Sequence, residues 1–277
     1  MATLAQRLGY GPGDRLLIVN CDDLGSSHAA NTAIHRALTR GIATSATLMV
    51  PCPWAREAAR MTAGLDVGVH LTLTAEYPGY RWRSLTGAAS LHDVDGFLPA
   101  TSVEAIARAK PEAVRAECRA QIDQALAWGV DVTHLDSHMG VVQVAAPLYD
   151  IYLQLGAEYG LPLRMVGPRN GRLLGFTPRA KAVARGVVFT DEFFHGWGKD
   201  TRGFITKRVA AMAPGVAEVY GHPVDDGPEL RGYDLEMPDV RVADGRCFTD
   251  PPMRAMLDAA GIIRISYRPL RDLQRRH

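Results

Sequence analysis

Cysteine is scarce: the 277 residues hold four, Cys21, Cys52, Cys118 and Cys247, widely scattered and never as C-x-x-C. That spacing suggests neither a zinc knuckle nor a redox pair. An excess of charge of one sign is also missing. The net charge is +1, which gives no global electrostatic case for nucleic acid or an anionic membrane as partner. The locally basic close, RPLRDLQRRH, reads as a solvated tail. No run of about eighteen apolar residues occurs, so no membrane span is expected. The opening MATLAQRLGYGPGDR lacks the apolar core of a signal peptide, and the expected location is the cytoplasm. A G-x-S-x-G elbow is absent, which argues against a serine hydrolase. GPRNGRLLG is rich in glycine but does not follow the strand–loop–helix pattern of a phosphate loop.

What is present is a rhythm. Short runs rich in Val, Ile and Leu cover 16–21, 43–50, 67–73, 132–136, 163–166, 187–190, 216–220 and 262–267. Between them lie helix-like stretches at 28–40, 54–62, 112–128, 147–159 and 253–260, each closed by a glycine at or shortly after its end. Strands alternating with helices predict a parallel α/β fold. Seven or eight βα units suit a TIM-like (β/α) barrel better than an open sheet of that width, and the sheet stays as the alternative. No repeat, low-complexity tract or linker divides the chain, so residues 1–277 read as a single domain. The rhythm breaks at 74–110, at about 167–179 and around 193–202; insertions of this length usually cover or shape a site. They are expected as long loops over the C-terminal face.

Ligands of parallel α/β folds bind at the carboxyl ends of the strands. The first run, LLIVNCDDLGSS, ends in Asp22 and Asp23. Two adjacent carboxylates repel, and near an interior each is costly unless paired or bound to a cation; a simple turn with a serine cap is the plainer alternative. The run VGVHLTL carries His70, THLDSHMG carries His134, Asp136 and His138, and EVYGHPVDDG carries His222, Asp225 and Asp226. Each alone reads as an ordinary buried or turn residue. Four strand ends delivering His or Asp to one rim is a much rarer coincidence. One Asp and two His suit a divalent metal, and the spare Asp suits a base.

These strings, in order, resemble the YdjC-like carbohydrate deacetylases related to chitooligosaccharide deacetylase. NCDDLG is similar to the N-A-D-D-F-G opening of that family, and the likeness runs through GIATSATLMV, VGVHLTL, THLDSH, EVYGHP and IIRISYRPL. The resemblance implies a TIM-like barrel and a metal-dependent amidohydrolase that removes acetyl groups from N-acetylated sugars. It implies Asp23, His70 and His138 as metal ligands and Asp22 as general base. His222 is the candidate acid. Arg164, in LPLRM, is a candidate partner for a carboxylate at the site and is grouped with the substrate-binding residues. Trp82 and Trp197 are candidate sugar platforms, with Trp54 and Tyr80 as further aromatics in or beside loops. The ligand types fit zinc, magnesium is often assigned in the family, and manganese or cobalt could serve. The partner that the resemblance implies is a small N-acetylated sugar, and a homodimer is the assembly to look for.

The departures concern substrate more than hydrolysis. The family commonly reads D-S-H-H-H where this chain has Met139 and Gly140 after His138; Leu24 stands for a usual Phe and Val224 for a usual Gly. The alternatives are a metal-dependent hydrolase of another amide or a phosphoester, or a sugar-binding barrel without turnover. A binding module needs no general base, so the intact Asp22–Asp23 pair favours hydrolysis.

Overall fold

The computed structural model describes residues 2–198 and 200–276. Seven strands form one sheet: β1 (Arg15–Leu24), β2 (Ser45–Leu48), β3 (Val67–Leu71), β4 (Val132–Ser137), β5 (Glu192–Phe194), β6 (Gly215–Gly221) and β7 (Ile262–Arg264). Their order is β4-β3-β2-β1-β6-β5, with β7 beside the first residues of β1, and every pairing is parallel. The sheet is curled, and helices pack outside it.

Strand β1 shows how sequence sets the two faces. Leu17, Val19 and Cys21 belong to the large core between sheet and helices. Leu16 and Ile18 point to the opposite, inner face, packed with Val188, Val216, Ile265 and Tyr267. The inner face then turns polar along the same strand, at Asn20 and Asp22, both buried. Asn20 is held there by Ser45, which donates to its carbonyl at 2.6 Å, and it donates to Thr47 at 3.1 Å and to Asp22 at 2.8 Å. The apolar half supplies burial free energy, and the polar half, its hydrogen bonds satisfied, leads into the site.

Two expected strands are not strands. At 163–166 only Leu163 bridges, to Leu135. The Arg164 carbonyl is instead taken by the Gln143 amide (3.2 Å) and the Tyr152 hydroxyl (3.1 Å), so no ladder continues. At 187–190 the Val188 N–H goes to the Gln274 side chain (2.7 Å), and pairing with β6 begins only at Asp191. Hydrophobic pattern marks burial, whereas a ladder also needs a backbone neighbour. The runs 43–50 and 262–267 shorten to β2 and β7 for their ladder-paired residues.

The expected helices are present, the first as His28–Arg40, capped by the Ser27 side chain on the Ala30 N–H at 3.0 Å. Several short ones had no periodic signal, among them Ser102–Arg108, Pro168–Gly171 and Pro228–Tyr233. The insertion at 74–110 is tied down by buried Glu117, which accepts from the backbone N–H groups of Leu85 (3.0 Å) and Thr86 (2.9 Å). No described helix is long and apolar enough to cross a membrane.

Candidate metal centre

Strand alternation would send Asp22 and Asp23 to opposite faces. A register shift lies between Cys21 and Leu24, and Asp23 adopts φ +64°, a left-handed conformation uncommon outside glycine. This break brings both carboxylates to the inner rim. Gly25 follows at φ +91°; a β-carbon there would stand 2.9 Å from the Ala55 Cα, so the close approach to the helix Ala55–Met61 requires glycine.

The β3–β4 register aligns His70 with Asp136. His70 Nδ1 lies 2.7 Å from Asp136 Oδ2, which leaves Nε2 facing Asp23 Oδ1 at 3.4 Å. His138 follows β4, and its Nδ1 lies 3.2 Å from the same Asp23 oxygen while its Nε2 lies 2.9 Å from Glu76. Among the described residues, the buried Asp23 Oδ1 has no hydrogen-bond partner. The other oxygen, Oδ2, accepts from Arg241 Nη1 at 2.8 Å. One free carboxylate oxygen and two imidazole nitrogens therefore converge, each oriented by a further partner, as ligands of a divalent ion are. Ligand atoms from Asp23, His70 and His138 can lie within 4.8 Å of one another.

Asp22, His70 and Asp136 form a second such group. There the cation is already supplied by Arg164, whose guanidinium donates to both Asp22 oxygens (2.6 and 2.8 Å) and to Asp136. The residues of the first group fit a metal better.

Charge balance agrees. Burial opposes a charge on His70, yet Asp136 and Asp23 outweigh it and push its pKa up to about 9. Burial opposes His138 likewise, and Glu76 and Asp23 push it up to about 10. Burial would raise the Asp23 carboxyl, but His222, His138 and His70 hold it well below the usual carboxylate range. Without a metal, protons supply the positive charge that this pocket favours.

His222, just beyond β6, faces the group from across the rim. Its Nε2 is 4.0 Å from Asp22 Oδ2. Its backbone N–H donates to Asp244 at 2.7 Å, and the Trp197 indole donates to the same carboxylate at 2.9 Å. The Trp197 ring packs edge-on against the imidazole at 4.4 Å. Burial pushes the His222 pKa down, which favours the neutral ring.

The ligand candidates, Asp22 and His222 line a cavity of about 560 Å³ whose wall also includes Trp197, Met139 and Met237. Asp22, Asp23, His70, His138, Arg164, Trp197 and His222 thus meet in one place. Trp82 does not join them: it is buried, donates its indole N–H to the Thr74 carbonyl at 2.8 Å, and lines a separate recess. Arg164 is buried with its donors taken by protein carboxylates. His134 stacks on Tyr267 beneath the site, and Asp225 and Asp226 pair with Arg36 and Arg231 away from it. Met139, at φ +50°, forms cavity wall where the family commonly has histidine.

Sequence reading missed Arg241, Glu76, Asp244 and Glu218. Glu218 had a signal, a lone charge within the apolar run VAEVY. Arg241 had none, because an arginine on a helix ordinarily faces water.

Fold and site together define a class: a parallel α/β protein with an Asp–His–His seat and a second aspartate at the carboxyl rim of its strands. The family described as YdjC-like protein matches residues 16–259, and the chain belongs to it. It is 37% identical over 269 residues to a carbohydrate deacetylase of Thermus thermophilus, covering 92% of this chain and 93% of that one. A carbohydrate deacetylase of Geobacillus stearothermophilus is 33% identical, over 92% and 97% of the two chains. A crystal structure from Enterococcus faecalis, of a protein named as a candidate for cellobiose-phosphate cleavage, superposes with a TM-score of 0.80 at 25% identity, covering 93% and 99%.

Proposed function

We propose that the protein is a metal-dependent deacetylase of N-acetylated sugars, acting as a single domain. The observation that carries this reading is the buried, unpartnered Asp23 Oδ1 facing His70 and His138, with Asp22 beside it. Support comes also from the names of the Thermus and Geobacillus relatives. We read the curled sheet as a TIM-like barrel, its side between β4 and β5 spanned by the backbone bonds of Leu135 with Pro162 and Arg164 and by the Leu163 N–H donating to the Val188 carbonyl.

Asp23, His70 and His138 would hold the ion, with zinc, magnesium, manganese and cobalt as the choices. The chemistry a divalent ion supplies in such a seat is acidification of water and polarisation of the acetyl carbonyl. The protein's own groups do the rest. Asp22, fixed by Arg164 and Asn20, accepts the proton of the attacking water. His222 delivers a proton to the departing sugar amine. Burial favours its neutral form, so the proton it delivers is one taken up within the turnover, with Asp22 Oδ2, at 4.0 Å, as the nearby source. Trp197 offers an aromatic wall for a sugar face. Arg164 serves Asp22 rather than substrate in this reading, and Trp82 supports the site by packing 6.5 Å from the His138 ring.

The test is acetate release from N-acetylglucosamine oligomers by metal-stripped protein, before and after reloading with each of the four ions. Release that depends on the ion is expected. No release with any of them, across other acetylated sugars too, would overturn the reading in favour of another amide, a phosphoester or binding alone.

A further inference from the structure

Beneath the site lies a carboxylate that the chemistry above does not use. Glu218 is fully buried on the inner face of β6, paired in register with Ile18 of β1. It lines neither the cavity nor the metal seat. A carboxylate so placed is costly unless fully engaged. Glu218 accepts from Arg164 Nε at 2.8 Å and lies 2.7 Å from Arg164 Nη2, and its second oxygen accepts from the Tyr267 hydroxyl. The Tyr267 ring is fixed in turn, stacked on His134 at 3.8 Å and 9°.

We propose that Glu218 and Tyr267 are positioning residues that set the orientation of Asp22 through Arg164. The inference rests on Asp22 being the general base. Arg164 has two edges. Glu218 holds the Nε side, and the rings of Phe193 and Tyr220, 5.1 and 5.2 Å from the guanidinium carbon, hold its plane. The remaining fork meets both oxygens of Asp22, at 2.6 and 2.8 Å. A two-pronged contact fixes a carboxylate in plane as well as in position. The relay therefore runs from Tyr267 to Glu218 to Arg164, and ends at the Asp22 oxygen that faces His222. Among the described residues Asp22 has no other charged side-chain partner within 3 Å; its remaining side-chain donor is the neutral amide of Asn20, at 2.8 Å from Oδ1. A purely structural ion pair behaves differently: its effect falls on stability and carries no information about the base.

The experiment is a pair of double-mutant cycles on the metal-loaded enzyme. Glu218→Gln and Tyr267→Phe are each placed in the native chain and in Asp22→Asn, with acetate release from N-acetylglucosamine oligomers followed long enough to measure residual rates. Glu218→Gln is expected to lower kcat roughly 10- to 100-fold, the usual cost of losing an orienting partner, with KM and metal content unchanged. Tyr267→Phe is expected to lower kcat several-fold, and both losses are expected to disappear in the Asp22→Asn background. Equal losses in both backgrounds, or a loss confined to KM, would overturn the proposal while leaving the base assignment standing. A near-normal rate for Asp22→Asn alone would remove the base assignment and the proposal with it. Should Glu218→Gln fail to fold, the Tyr267→Phe cycle decides, because that change keeps the ring and its stack on His134.

Discussion

Arg241→Met removes the arginine that, among the described residues, holds Asp23 from outside the histidine pair. Arg241 is buried and donates to Asp23 Oδ2 at 2.8 Å, to Asp234 at 2.7 Å and to the Tyr77 hydroxyl at 2.5 Å. Methionine fills much of the volume and leaves two buried carboxylates without their partner. Breaking a buried pair from one side costs about 3–5 kcal/mol. At about 2.1 cal/mol/K per residue of unfolding entropy, a chain of 277 residues has roughly 0.6 kcal/mol/K. The metal-free variant should therefore melt about 5–9 °C below the native protein. Its affinity for zinc should fall about 10- to 100-fold, because Asp23 Oδ1 is no longer aimed between His70 and His138. Arg241→Lys, which keeps the charge and loses the fork, should lie between. Thermal melts without metal, and a zinc titration by calorimetry, read both effects. A melting point within a degree of native together with unchanged zinc affinity would refute the reasoning.

Two further outcomes follow from the same geometry. His222→Ala should slow release of acetate from a sugar amine by roughly 10²–10⁴ and an activated aryl ester much less, since only the amine needs a proton to depart. Metal content should not change; equal loss on both substrates would make His222 a group that positions substrate or stabilises charge. The second outcome concerns pH. His70 and His138 have folded pKa values of about 9 and about 10, above their ordinary 6.5. The stability that these protons contribute is fully present below about pH 6.5 and is lost as pH rises through 9 and 10. The melting point of metal-free protein should fall across that window, while zinc-loaded protein should change little and zinc affinity should rise with pH. A metal-free melting point that rises from pH 7 to 10 would contradict the charge arrangement.

The grouping of the candidate residues was legible because they stand at or near the ends of strands whose apolar runs are conspicuous, as Asp23 follows LLIVNCD and His70 stands in VGVHLTL. The parallel α/β fold was legible for the same reason. What stayed hidden depends on contacts between distant segments. Nothing in the sequence marks Arg241 as buried, since its burial comes from Asp23, Asp234 and Tyr77, which lie on three other segments. Trp82 looked like a sugar platform because its neighbours are loop residues, but the same loop folds inward and spends the indole N–H on Thr74. At 163–166 and 187–190 the apolar runs announced burial correctly. Strand pairing was lost to side chains, Gln143, Tyr152 and Gln274, that no local pattern connects to them.

The most direct test of the central claim is a comparison of Asp22→Asn with native protein, measuring bound metal and acetate release on the same samples. The account predicts one ion per chain in both and a loss of turnover of roughly 10²–10⁴ in the variant. A variant that keeps a near-normal rate, or that loses its metal, would contradict the division of labour between Asp22 and Asp23.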